Sequence, residues 1–302
     1  MDRKKIDKTL SSVRLAAKVV AKMKARFHGR VVDLGKVFNS RALAEGFQES
    51  AMADKELAGL PPALAAYGHA QSQVAIMLEQ LTSLKEMAPL VNIVSKAEDL
   101  YMPGGPPMSP LTDSYFNFWA FYDACVGEAN ETIGTTVLEI GAAFGMDRDL
   151  LRLIRCAQES RMSLCIHKGT KGGLAVLEEP VTGEVRHSLV PAGYLGKKDE
   201  LWYARVLPPP IQGDSEHIVV TTPYILRQPG IDDWMAYFRR TCPAVEDYKR
   251  HMKYGPTRTY WHDFVLEAYV NYRTEAIYLA GLPDIPESRP HSQVNGWGHR
   301  KS

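Results

Sequence analysis

Apolar positions recur at helical spacing over the first part of the chain. The region 31–100 is predicted to be helical, with a long helix from Pro61 to Met87 that prolines open and Pro89 ends. Aromatic residues crowd the stretch 115–122, and a helix that is apolar on most sides is usually buried. The first half of the chain is therefore expected to be built from helices.

The period changes to that of strands after residue 160. Five short β-type runs follow one another, separated by turn sequences: RMSLCIHKG, GLAVLEEPV, EVRHSLVP, ELWYARVLPPP and HIVVTTPYIL. The short spacing leaves no room for crossover helices, so we expect antiparallel strands in a meander or small barrel. The sequence predicts an α+β fold in which helical N-terminal and C-terminal layers flank one roughly five-stranded antiparallel sheet.

Four segments are predicted along the chain. Residues 1–30 form a basic amphipathic helix, 31–100 a helical region, 101–282 an α+β core domain, and 283–302 an extended or disordered tail. The core domain opens with YMPGGPPMSP, which we interpret as a stiff, ordered connection leading into a buried helix. After the strands the pattern returns to helices up to Gly281, with a restart at Pro243 and a break at Gly255 and Pro256.

Composition is that of an ordinary globular chain. Of 302 residues, 45% are hydrophobic and 24% charged, which argues against a disordered or fibrous protein. No apolar run approaches the roughly 18–20 residues that span a bilayer. The four cysteines form no CxxC and no zinc-finger spacing, and a chain of this length has enough core without disulfides. We expect reduced thiols and a cytoplasmic protein.

Positive charge is concentrated at the N-terminus. Residues 1–30 hold ten Lys/Arg and two Asp, a net charge of +8, which leaves −7 for the other residues because the whole chain carries +1. Arg14, Lys18, Lys22 and Arg26 recur every four residues and share one flank of a helix. Apolar residues occupy the adjoining side: Ile6, Leu10, Val13, Ala17 and Val20.

Such a helix would suit an anionic partner. Clustered lysine and arginine over residues 3–30 could bind a nucleic acid, an acidic protein or a membrane surface. The competing interpretation is that the apolar side packs on the rest of the same chain and the charged side is merely solvated.

Three histidines are candidate metal ligands or catalytic groups. His167, His187 and His217 lie in or beside predicted strands, and three converging imidazoles would hold a zinc ion with an open position for water. They occupy the first, third and fifth strands, and alternation places His167 and His187 on opposite faces. Convergence would require barrel closure or a bulge, so no cofactor is predicted and zinc is kept as the ion that convergence would allow.

The last long helix carries a second candidate set, formed by His262, Asp263 and Glu267. Carboxylates four residues apart would suit acid/base chemistry. A helical wheel, however, places both carboxylates away from the apolar stripe that starts at Trp261. We therefore interpret them as a solvated face.

Two functional hypotheses follow. The sequence holds no P-loop, GxSxG or HExxH motif. The first hypothesis is a cytoplasmic binding or adaptor protein that engages an anionic partner through its basic N-terminal helix. The alternative is a hydrolase or nuclease that uses the sheet histidines and the helix carboxylates. Whether the protein is an enzyme, and its oligomeric state, are left open by the sequence.

Overall fold

The fold was obtained as a computed structural model that describes residues 14–28, 59–82, 84–106, 108–210, 215–271 and 276–283. The described chain forms two compact units. The first lies within residues 1–93 and 120–159, and the second lies within residues 94–119 and 160–302. The first part of the predicted helical region, residues 31–58, lies outside the described residues, as do residues 1–13 and 284–302 of the predicted terminal segments. The four predicted segments stay a prediction.

The described helices are nine in number, with one short 3-10 helix at Lys85–Met87. They are α1 (Leu15–His28), α2 (Pro62–Thr82), α3 (Ala88–Tyr101), α4 (Asp113–Tyr122), α5 (Ile133–Phe144), α6 (Arg148–Glu159), α7 (Ile231–Thr241), α8 (Val245–Tyr254) and α9 (Tyr260–Ala268). No helix among the described residues is long and apolar enough to cross a bilayer.

Local signals explain several helix ends. Thr132 caps α5 by accepting a hydrogen bond from the Thr135 N–H at 3.0 Å, and Gly145 ends this helix in the left-handed region at φ 78°. Asp147 caps the start of α6 by accepting hydrogen bonds from the N–H groups of Asp149 and Leu150 at 2.9 and 3.0 Å. The aromatic helix α4 begins at Asp113, and Thr112 caps it by accepting a hydrogen bond from the Tyr115 N–H at 3.3 Å.

Among the described residues, eight strands form a single sheet in the second unit. They are β1 (Met162–Lys171), β2 (Leu174–Glu179), β3 (Glu184–Leu189), β4 (Leu201–Leu207), β5 (Glu216–Val219), β6 (Tyr224–Gln228), β7 (Tyr269–Asn271) and β8 (Ile277–Ala280). Because β1 pairs with both β2 and β4, five strands close in the order β1-β2-β3-β5-β4. This Greek-key order, with β3 and β5 parallel, is that of OB-type barrels. Strands β6, β8 and β7 extend the sheet from β4.

The predicted α+β class and small barrel are confirmed, and the sheet is larger and more mixed than five antiparallel strands. The fifth predicted run overlaps both β5 and β6, which residues 220–223 separate. The predicted last helix ends at Ala268, and the residues after it form β7 and β8. Two pairs are parallel, β3 with β5 and β6 with β8.

Two hydrophobic cores support the second unit. The barrel interior holds small and aliphatic side chains around Trp202, including Cys165, Ala175, Leu177, Ala204, Val206 and Val219. Outside the barrel, large rings are buried among the strands and helices α7–α9, including Tyr203, Trp234, Phe238, Tyr248, Trp261 and Phe264. Trp119, Trp202, Trp234 and Trp261 are all buried.

A charged side chain, Glu179, is fully buried at the end of β2. Its carboxylate accepts hydrogen bonds from the guanidinium groups of Arg161 at 2.8 and 2.9 Å and of Arg186 at 2.9 Å. The hydroxyl of Tyr248, on α8, donates to the same carboxylate at 2.9 Å. Buried charges are tolerated only when they are paired and hydrogen-bonded, and Glu179 meets both conditions. The carboxylate therefore joins β1, β3 and α8.

Replacing Glu179 is expected to destabilise the second unit. Glu179→Ala leaves the buried Arg186 without its interior partner, and removing one member of a buried pair costs about 3–5 kcal/mol. The adjacent Glu178 pairs with Lys168 at the surface, so Glu178→Ala is the matched control and should cost less than about 1 kcal/mol. Urea denaturation of both variants checks this, and equal losses of unfolding free energy would contradict the account.

A second expected effect concerns Gly196 in the β3–β4 loop. Gly196 has φ 73°, and an added Cβ would lie 2.2 Å from the Trp202 ring. Gly193 has φ 82° and open space around it. Gly193→Ala should cost about 1–2 kcal/mol through backbone strain alone. Gly196→Ala should cost about 1–3 kcal/mol more because of overpacking. Thermal or urea unfolding checks the difference, which would be absent if the loop could move away from Trp202.

Candidate functional site

Helix α1, which carries the predicted anion-binding residues, starts against a carboxylate from another part of its unit. The N–H groups of Leu15 and Ala16 donate to the Glu131 carboxylate at 2.7 and 3.0 Å. The first N–H groups of a helix have no partner within the helix, and negative charge is favourable at that end. Glu131 therefore acts as the N-terminal cap of a helix more than a hundred residues away.

One edge of α1 is buried within the first unit. Ala16 and Val19 are fully buried, while the predicted apolar residue Ala17 is exposed. The buried edge is thus rotated from the predicted one, and the predicted positions up to Val13 lie outside the described residues. The helix covers its own unit with this edge, as the competing interpretation expects.

Three of the four predicted anion-binding side chains are described, and they share one flank of α1. Arg14, Lys18 and Lys22 are spaced by four residues, which separates neighbours by only about 40° around the helix. The helix itself contains no acidic residue. The side chain of Arg26, the fourth predicted residue, is not among those described. The flank is therefore lined with positive charge.

Carboxylates of the same unit meet two of these cations. Arg14 lies 2.5 Å from a Glu139 oxygen and 3.6 Å from Glu131, and its side chain remains 55% exposed. Lys22 donates to both oxygens of Glu86 at 2.7 and 2.9 Å. Ion pairs at this level of exposure contribute about 0–1 kcal/mol each. The flank is thus partly neutralised in the free protein, by contacts that are individually weak.

The three sheet histidines occupy different surroundings. His167 is fully buried inside the barrel beside the Trp202 ring, at 5.0 Å between ring centroids. The Gly169 N–H donates to its Nδ1 at 3.1 Å, and burial lowers the pKa of His167. This hydrogen bond leaves Nδ1 unprotonated, so the neutral ring carries its proton on Nε2.

His217 and His187 lie on neighbouring parallel strands but on opposite faces. The register places His217 opposite Ser188, which is fully buried, so His217 faces the barrel interior. His187 is the residue before Ser188 and points outward. Burial lowers the pKa of His217, and the nearby Arg186 guanidinium adds to the effect. Among the described residues, no three His, Cys, Asp or Glu side chains come together to hold a metal ion.

The candidate residues of α9 also separate. Asp263 is half-buried and accepts hydrogen bonds from Tyr101 at 2.5 Å and Thr259 at 3.2 Å, whereas Glu267 is exposed. His262 is fully buried about 100° around the helix from Asp263, and Tyr101 contacts both residues, the imidazole through its ring and the carboxylate through its hydroxyl. Glu267 lies about 140° from His262 and shares no such contact with it among the ring contacts and hydrogen bonds described.

An aromatic cage around His262 is the feature that sequence reasoning missed. Four rings surround the imidazole with centroids 4.4–6.1 Å away: those of Tyr101, Tyr115, Phe116 and Trp119. The Tyr115 hydroxyl lies 3.0 Å from Nδ1. Burial lowers the pKa of His262 to about 3. The only sequence signal for this cage is the aromatic stretch 115–122. No local pattern links that stretch to a histidine more than a hundred residues further along the chain.

Comparison with protein-family models, with curated proteins and with solved structures gave no match. The OB-type strand order is therefore a likeness of topology only, and a shared topology carries no function.

The buried, neutral His262 predicts a pH dependence of stability. In the unfolded chain a histidine binds its proton near pH 6.5, whereas the folded protein binds it only near pH 3, so unfolding takes up a proton between these values. The unfolding free energy should fall by about 1.4 kcal/mol per pH unit from this residue as the pH drops below 6.5.

Urea unfolding between about pH 6.5 and pH 4.5 checks this. His262→Gln removes the proton uptake, so its stability should depend less steeply on pH than that of the wild type, even if the variant is less stable throughout. The same substitution at the exposed His69 is the control. Parallel pH profiles for the wild type and His262→Gln would contradict the assignment.

Proposed function

We propose that the protein is a cytoplasmic binding protein that engages an anionic partner through the flank of α1 formed by Arg14, Lys18 and Lys22. The observation that carries the proposal is this run of three cations at four-residue spacing on a helix without acidic residues. Clustered cations of this kind attract nucleic acids, acidic proteins and anionic membranes. The buried edge at Ala16 and Val19 leaves the flank on the outside of the unit.

The surface between the cations favours close approach. Ala17, Ala21 and Ala25 are exposed and lie within or beside the same sector of the helix. Their methyl side chains offer no bulk that would hold a partner away from the basic groups. The flank is consequently flat as well as basic, which supports a role in binding an extended anionic surface.

The alternative function, a hydrolase or nuclease, gains no support from the arrangement of its candidate residues. His167 and His187 face opposite sides of the barrel wall, and Glu267 is exposed and apart from His262. No observation on the described residues assembles a nucleophile, a base and a binding pocket. We therefore retain the binding hypothesis as the proposal.

A salt titration tests the proposal on the full chain. Binding is measured by fluorescence anisotropy with labelled mixed-sequence duplex DNA and with poly-glutamate, and by co-sedimentation with phosphatidylserine vesicles. For the true partner class, the logarithm of the affinity should fall linearly with the logarithm of the salt concentration. If the partner is DNA, Lys18→Gln should reduce the slope by about 0.9, the value for one lost phosphate contact.

Lys198→Gln is the matched control, because Lys198 is an exposed lysine in the β3–β4 loop of the other unit. It should leave affinity and slope unchanged. The proposal fails if the full chain binds none of the three polyanions, or if Lys198→Gln weakens binding as much as Lys18→Gln does.

A further inference from the structure

We infer that the anionic partner of the α1 flank is nucleic acid, and that its phosphates displace Glu86 and Glu139 from Lys22 and Arg14. This inference rests on the proposed function and adds two things to it: the chemical class of the partner, and the contact that the partner must break.

The ion pairs discriminate against an acidic protein. Lys22 is already held by both oxygens of the Glu86 carboxylate, and Arg14 by Glu139. An acidic protein also binds through carboxylates, so replacing Glu86 or Glu139 by a carboxylate of the partner gains little free energy of binding. A nucleic acid offers a continuous row of charges and releases its condensed counterions when cations neutralise it. The free energy gained by counterion release therefore favours phosphates over the protein's own carboxylates, Glu86 and Glu139.

The spacing of the cations fits a phosphate backbone. Arg14 and Lys22 are separated by eight residues, or about 12 Å along the helix axis. One strand of a duplex presents a charge every 3.4 Å or so along its axis, so this length of flank faces roughly three or four phosphates. Three cations can therefore each meet a phosphate, with Lys18 in the middle of the row.

The exposed surface of α1 argues against a membrane. A helix that lies in a bilayer interface inserts large apolar side chains such as tryptophan, phenylalanine or leucine. The outward residues of α1 between the cations are alanines, and Val19 is buried within the unit. Among the α1 residues whose side chains are described, none on the outer flank is an apolar side chain larger than alanine.

The three carboxylates differ in how readily they can be displaced. The Glu131 side chain is 7% exposed and also accepts two backbone hydrogen bonds from α1, so it remains in place as the cap. Glu86 and Glu139 are 25% and 33% exposed. Their ion pairs are of the weak, partly solvated kind, and phosphates can take their places without releasing the helix.

The test measures duplex DNA binding by full-length Glu86→Gln and Glu139→Gln. Each change removes a competing charge but leaves Glu131 and the buried edge of α1 intact. Each variant should bind DNA roughly two- to five-fold more tightly than the wild type at the same salt concentration. Glu246→Gln is the matched control, since Glu246 forms a comparable surface ion pair with Lys249 on α8, and it should leave the affinity unchanged.

The outcomes separate the inference from the proposed function. If the wild type binds poly-glutamate or vesicles but not DNA, the inference is overturned and the proposed function stands. If no polyanion binds, the proposed function fails and the inference fails with it. If DNA binds but neither glutamine variant binds more tightly than Glu246→Gln, the displacement of carboxylates is overturned. Circular dichroism and urea unfolding establish that each variant remains folded.

Discussion

The carboxylate of Glu131 fixes the position of α1, and with it the surface that the first unit presents. It is buried, it accepts the N–H groups of Leu15 and Ala16, and its own backbone pairs in both directions with Val126. The Ala16 N–H would otherwise be a buried donor without an acceptor, which costs about 1–3 kcal/mol. This hydrogen bonding holds the helix with Val19 inward and with Arg14, Lys18 and Lys22 along its outer flank.

The barrel of the second unit uses a carboxylate in a comparable way. Glu179 is buried at the end of β2 and is shared by two arginines and a tyrosine from α8. In both units an acidic residue joins segments that are distant in sequence, and hydrophobic packing surrounds it. The difference lies in exposure. The Glu179 pairs are internal and structural, whereas the pairs that Glu86 and Glu139 make with α1 lie at the surface and can exchange with a ligand.

Local sequence signals account for the elements that were predicted well. Gly145 and Asp147 mark the end of α5 and the start of α6, and the turn sequences between the strands separate β1 to β4 at the expected places. The residues after Ala268 were predicted as helix but form β7 and β8, because pairing of β8 with β6 outweighs a helical period that is only local. The parallel pairing of β3 with β5 depends on the path of the chain between these two strands, and no local sequence pattern predicts that path.

In the candidate sites, too, local features could be predicted from the sequence and long-range contacts could not. Strand alternation alone predicted that His167 and His187 face opposite sides, and the register agrees. The four-residue spacing of Arg14, Lys18 and Lys22 likewise placed them on one flank. The capping of α1 by Glu131 and the enclosure of His262 by Trp119 could not be predicted, because the partners are separated by more than a hundred residues. Long-range side-chain contacts leave no periodic trace in the sequence.

The most direct measurement of the central claim is side-chain NMR of the lysine ammonium groups in the full-length wild type, titrated with duplex DNA. The account predicts that DNA breaks the ion pair between Lys22 and Glu86, so that the ammonium resonances of Lys22 and Lys18 shift together. The resonances of Lys197 and Lys198 in the β3–β4 loop should not shift. The account would be contradicted if the Lys197 and Lys198 resonances shifted while Lys22 stayed bound to Glu86. That result would place the DNA-binding surface on the barrel.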